Sequence, residues 1–246
     1  MFPIRDHNPS GSRPFVTYAL LAANIAIFFA YWDRIDHGRA MDAFFFNWGL
    51  VPGRITAGFG YQTIITSMFL HGGFLHLAGN MLFLWIFGDN IEDEMGHFGF
   101  ALFYLASGLA AAGLQILADP TSAVPMVGAS GAIAGVLGGY LLLYPRAKVD
   151  VLIIFVIFFR IFTIPAWIVL GVWFALQFFN GAANSTDGVA YMAHVGGFAG
   201  GLVLTLPVWL RRGARGYWAR TKGRPPHPAA QYELTTSRIP RVTRRR

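Results

Sequence analysis

Residues 190–210, AYMAHVGGFAGGLVLTLPVWL, contain no Asp, Glu, Lys or Arg and a single histidine, His194. As a helix this stretch covers roughly 30 Å, the thickness of a bilayer's hydrocarbon core. An imidazole in such a segment is costly and needs a partner or a task. Further apolar stretches lie at about 15–32, 64–88, 98–117, 127–144 and 164–181. Together they predict an all-α membrane protein of six transmembrane helices, with a long first loop between helices 1 and 2. Residues 149–162 are also apolar, but Arg160 interrupts them and Pro165 follows, so they read as an interfacial or re-entrant segment.

Composition agrees. Of the 246 residues 55% are hydrophobic and only 13% charged, well below the roughly one quarter usual in soluble domains. The formal charge of +7 does not point to nucleic acid, because 11 of the 19 Lys and Arg lie between Arg211 and Arg246, past the last apolar run. The chain has no cysteine, which excludes disulfides, thiolate catalysis and cysteine-bound metals. The first apolar run is as long as a span and lacks a convincing small-residue cleavage site, so it reads as an uncleaved first helix.

Positive charge sets the expected orientation. With both termini cytoplasmic, the inner face holds Arg5, Arg13, Arg146, Lys148, Arg160 and the basic tail, and the outer loops hold only Arg34, Arg39 and Arg54. The expected organisation is a cytoplasmic segment 1–14, a six-helix membrane domain 15–210 and a basic, disordered cytoplasmic tail 211–246. The setting is an integral multi-pass protein of the cell (plasma or inner) membrane.

Three clusters of polar residues interrupt the apolar runs: His71, His76 and Asn80 in the second, Ser130 in Gly128-Ala129-Ser130-Gly131, and His194 in Ala193-His194-Val195-Gly196-Gly197. Counting rise from the inner ends puts Ser130 about 9 Å, His194 about 6 Å, His76 about 6 Å and Asn80 about 12 Å below the outer boundary. Three separate segments thus place their costly groups in one layer. A serine hydroxyl becomes a nucleophile when an imidazole takes its proton, so Ser130 and His194 form a candidate pair. No carboxylate lies near that layer in either segment, which favours a dyad over a triad. His76 and Asn80, four residues apart on one helix face, can both donate to an oxyanion. Gly128 and Gly131 would let a substrate backbone approach.

Each piece has a plainer reading. Gly131-x-x-x-Gly135 and Gly197-x-x-x-Gly201 are helix-packing patterns, His71 reads as interfacial and structural, His97 as solvated, and Asp89 to Glu94 as a wetted inner loop.

The combination resembles the rhomboid family of intramembrane serine proteases. The matching residues are His71-x4-His76-x3-Asn80 with Gly88 and Glu92, Gly128-Ala129-Ser130-Gly131, and Ala193-His194-Val195-Gly196-Gly197-Phe198-Ala199-Gly200. The resemblance implies cleavage of single-span membrane protein substrates in or near their transmembrane segment, with no metal or cofactor. By position it makes Ser130 the nucleophile and His194 the general base. His76, Asn80 and the Ser130 backbone N–H become the oxyanion site, and Glu92 an anchor for the second helix. It also puts Trp167, Trp173 and Phe174 of the fifth helix near a substrate gate. Two positions depart from the family's pattern: Gln62-Thr63 stands where many members have Trp-Arg, and Ala134 stands where an aromatic often stacks on the histidine. The rivals are a non-catalytic rhomboid relative that binds membrane proteins, a haem or metal protein using His71, His76 and His194, and a transporter. A zinc hydrolase would need a pattern such as His-Glu-x-x-His, which is absent, and a transporter is disfavoured by the lack of a mid-membrane acid.

Overall fold

The computed structural model describes residues 2–34, 38–155, 158–183 and 188–227. In order, the elements are β1 (Phe2–Asp6), α1 (Phe15–Ala30), α2 (Gly38–Trp48), α3 (Pro52–Thr56), α4 (Thr63–Thr66), α5 (Phe74–Ala118) and α6 (Ser130–Leu143). They continue with β2 (Lys148–Phe155), β3 (Phe158–Pro165), α7 (Ala166–Ala182), α8 (Tyr191–Arg211) and α9 (Arg215–Thr221). Helices dominate. Among the described residues α5 and α8 are long and apolar enough to cross a membrane, and α1, α6 and α7 are shorter apolar helices.

The helix α6 lies at the centre, buried from Gly131 to Tyr140 between α5 and α8. Its glycines let the neighbours in. A methyl on Gly135 would collide with Ser107 of α5, and one on Gly138 with the Phe198 carbonyl of α8. The two packing patterns face each other: Cβ atoms on Gly197 and Gly201 would strike the carbonyl oxygens of Gly131 and Gly135.

Residues 74–118 form two helical arms that meet at Gly96, whose φ of 70° and ψ of 163° no ordinary residue adopts cheaply. The first arm therefore runs through residues 89–94, which were expected as a wetted loop. The reason is Glu92, which is 1% exposed and accepts hydrogen bonds from the Val16 and Thr17 N–H groups and the Thr17 hydroxyl at 2.7–2.8 Å. Helix α1 has no side-chain cap of its own, so a carboxylate from α5 caps it and meets the positive end of its dipole. His97 is not simply solvated: its Nδ1 lies 2.6 Å from Glu92 Oε1. Replacing Glu92 by Ala strands two backbone donors and should destabilise the protein by about 3 kcal/mol, with Gln costing less. Thermal unfolding of the two purified variants checks the order.

The all-α expectation missed a three-stranded antiparallel sheet of order β1-β2-β3. Of residues 149–162, expected as an interfacial or re-entrant segment, 149–155 lie in β2 and 158–162 in the antiparallel β3, 156 and 157 lie outside the described residues, and β1 pairs with β2 through Phe2↔Leu152 and Arg5↔Asp150. Asp150 binds the sheet together by accepting from Arg5, His7 and Thr163. Burial pushes its carboxyl up, but those hydrogen bonds outweigh burial and hold it at about 2. Residues 2–6 are thus ordered as a paired strand. The start of the tail is ordered too: Tyr217 is buried, and the Trp218 indole N–H donates to the Leu142 carbonyl. Residues 228–246, the rest of the expected disordered tail, lie outside the described residues.

Candidate active site

Ser130 is the first residue of α6, where backbone N–H groups have no acceptor within the helix and the dipole favours negative charge. The chain reaches it through a pinned loop. Leu50 and Met126 exchange backbone hydrogen bonds at 2.7 and 3.0 Å, the Gly53 N–H donates to the Ser122 carbonyl, and the Gly128 N–H donates to the Ser67 carbonyl at 2.9 Å. The first loop, with Gln62-Thr63 in place of Trp-Arg, is therefore held directly against the segment that delivers the serine. Thr63 itself is buried and bonds the Gly60 carbonyl.

One turn into α8, His194 brings its Nε2 to 2.8 Å from Ser130 Oγ. Both residues are half-buried, neither sealed in the core nor out in solvent. The close approach of α6 and α8 at Gly131 and Gly197 is what allows a contact this short. The pair can pass a proton from the hydroxyl to the imidazole.

His76 and Asn80 lie on one face of α5. The Gly72 N–H donates to His76 Nδ1 at 3.3 Å, which leaves Nε2–H of the neutral ring as the donor. A methyl built on Gly128 would sit 2.8 Å from His76 Nε2 and 3.4 Å from Ser130 Oγ. Gly128, at φ 133°, thus keeps open the space between those two groups. Its own N–H is spent on Ser67, so it serves by absence of bulk and not as a donor. Asn80 is buried, and its Nδ2 has no hydrogen-bond partner among the described residues. A buried donor left unmade costs about 1–3 kcal/mol, so this N–H is available to an acceptor that enters the site. Gly131, expected to face substrate, instead faces Ala111 and Gly197 and is packing. His71, expected at the interface, is fully buried with its ring 5.1 Å from that of His76, and its backbone is clamped by the Tyr31 hydroxyl.

The residue that sequence reasoning missed is Gln177 of α7. Its Oε1 lies 2.6 Å from His194 Nδ1. Trp173, one turn earlier, places its ring 5.8 Å from the His194 ring at 37°, on a histidine that Ala134 leaves without an aromatic neighbour from α6. Phe174 stacks on Phe198 at 4.5 Å and ties α7 to α8, whereas Trp167 is exposed. The signal in the sequence was one more polar residue in an apolar helix. Among the described residues no group of three or more His, Cys, Asp or Glu is arranged to hold a metal ion.

Comparisons with known proteins point one way. A model of the rhomboid domain matches residues 59–211, the region that carries His76, Asn80, Ser130, Gln177 and His194. The mitochondrial Rhomboid protein 1 of Saccharomyces cerevisiae is 33% identical over 193 residues, 74% of this chain and 50% of that protein. The Rhomboid protease GluP of Bacillus subtilis is 33% identical over 129 residues, 52% of this chain and 24% of its own length. The chloroplastic Rhomboid-like protein 11 of Arabidopsis thaliana is 45% identical over 75 residues, 30% of this chain and 26% of its own. The chain spans half or less of the length of these relatives. Since the domain match covers more than half of the sequence, the chain belongs to the rhomboid family of integral membrane proteins.

Proposed function

We propose that this protein is an intramembrane serine endopeptidase that cleaves single-span membrane proteins within or near their transmembrane segment. The observation that carries the reading is the 2.8 Å contact between Ser130 Oγ and His194 Nε2, made beside a buried, unpartnered Asn80 Nδ2. In the reaction Ser130 Oγ attacks the scissile carbonyl while its proton passes to His194 Nε2. The developing oxyanion takes hydrogen bonds from His76 Nε2–H, Asn80 Nδ2–H and the Ser130 backbone N–H. His194 then gives its proton to the leaving amine, and water, activated by the same imidazole, frees the acyl group from Ser130.

This reading goes with six spans: α1, the two arms of α5, α6, α7 and α8, with both termini in the cytoplasm of a cell membrane and the dyad near the outer face. The excess of Lys and Arg on the side of the termini supports that orientation.

The test is gel-based cleavage of a single-span substrate in proteoliposomes by the wild type, Ser130→Ala and His194→Ala, with folding followed in parallel. Cleavage by the wild type alone is expected. Cleavage that persists in folded Ser130→Ala overturns the proposal, and substrate binding without cleavage by the wild type favours a non-catalytic rhomboid relative. Removing one oxyanion donor is a finer check. Asn80→Ala should lower kcat roughly 10²-fold with KM little changed, because the donor is engaged only once charge develops.

A further inference from the structure

His194 makes two in-plane contacts, and they run in a fixed direction. A carbonyl oxygen accepts and cannot donate, so Gln177 Oε1 at 2.6 Å requires the ring proton on Nδ1. In a neutral imidazole the other nitrogen then carries the lone pair, and that nitrogen is the one 2.8 Å from Ser130 Oγ. Turning the ring would break both contacts, and moving its proton to Nε2 would break the one to Gln177 and reverse the one to Ser130, whose hydroxyl would then accept instead of donating. We propose that Gln177 is a positioning residue, holding His194 in the orientation and tautomer that leave Nε2 free to take the Ser130 proton. This rests on the serine-protease reading of the same site.

Three further observations support the assignment. Trp173 and Gln177 are four residues apart, so one face of α7 supplies both a ring against the imidazole and a hydrogen bond to its edge. Together they stand in for the aromatic that Ala134 cannot provide. The site also lacks a carboxylate at Nδ1, so the amide occupies the place a triad would give to an acid. It differs in one respect: when His194 becomes an imidazolium, the Nδ1–H bond to Gln177 is strengthened by the charge, yet the amide cannot accept the proton. Finally, α7 buries only Ala166, Val169, Leu170 and Gly181, fewer than its neighbours α6 and α8. A hydrogen bond from this helix makes the state of the dyad depend on whether α7 is docked on α8.

Two measurements on the full chain in detergent micelles test this, with Gln177→Ala and Gln177→Glu beside the wild type. The first is the 15N signal of His194 near neutral pH, which reports the tautomer whether or not the protein turns over. The wild type should show a proton on Nδ1, Gln177→Ala a mixture of tautomers. The second is the rate of labelling by a fluorophosphonate across pH. Gln177→Ala should slow it roughly 10- to 100-fold, since a general base contributes about 10²–10⁴ and only its alignment is lost. Gln177→Glu should restore the rate and move the acidic limb of the profile upward, because a carboxylate favours the imidazolium. Unchanged 15N signals in Gln177→Ala, or equal losses in both variants with one pH profile, would overturn the assignment. A wild type that holds the Nδ1–H tautomer but takes no label would sink the protease reading instead, and with it any part for Gln177 in catalysis.

Discussion

Ser130→Ala is expected to lower peptide cleavage by about 10⁴-fold or more, and adding His194→Ala to this variant should lower it little further. On the proposed function the dyad works as one unit. Without Oγ there is no atom for His194 to activate, and without the imidazole the hydroxyl attacks with its proton still in place. What should survive is the hydrogen bonding of His76 and Asn80 around a water molecule, worth about 10³-fold over solution in serine sites of this kind. Each single variant should keep its thermal midpoint, since both groups are half-buried and neither caps a helix or fills the core. Losses that multiply in the double variant would mean that Ser130 and His194 act separately.

The second large effect is structural and reaches the chemistry through packing. Gly197→Ala puts a methyl group into the Gly131 carbonyl, and Gly201→Ala does the same at Gly135. The obstacle in each case is backbone, which cannot swing away, so α6 and α8 must move apart. Overpacking of this kind costs roughly 1–3 kcal/mol, more where backbone blocks the relief. Ser130 precedes Gly131 and His194 lies one turn before Gly197, so a shift of about 1 Å would lengthen the 2.8 Å contact beyond hydrogen-bond range. Misplacement on that scale costs on the order of 10²-fold in rate. Gly197→Ala should therefore lower both the thermal midpoint and turnover. Gly171→Ala and Gly113→Ala, with nothing within 4 Å of the added methyl, should leave both close to the wild type. Equal behaviour of the two pairs would show that the α6–α8 approach does not govern the site.

Much of this architecture could be read from the chain, for a physical reason. Apolar runs announce themselves, and a polar group inside one is expensive enough to demand a use, so Ser130, His194, His76 and Asn80 stood out together. The parts that escaped depend on partners distant in sequence. Asp89 to Glu94 reads as solvated until Val16 and Thr17, more than 70 positions earlier, are found donating to Glu92. Residues 149–162 form a run of β-branched and aromatic residues that suits a strand as well as a buried helix, and only pairing with Phe2–Asp6 and with the chain's own return decides it. Gln177 was visible as a polar residue in a span, but its meaning lay in a ring 17 positions away on another helix. The surroundings that separate Gly128, which borders His76 and Ser130, from Gly131, which packs on α5, are likewise absent from a linear pattern.

The most direct test of a Ser130 hydroxyl made nucleophilic by His194, as proposed, is the site and rate of covalent capture. Purified protein treated with a fluorophosphonate, digested and analysed by mass spectrometry should carry one adduct, on Ser130. That adduct should form at least about 100-fold more slowly in His194→Ala, in line with the loss of a general base. An adduct on another residue, or capture of Ser130 at an undiminished rate without His194, would contradict it.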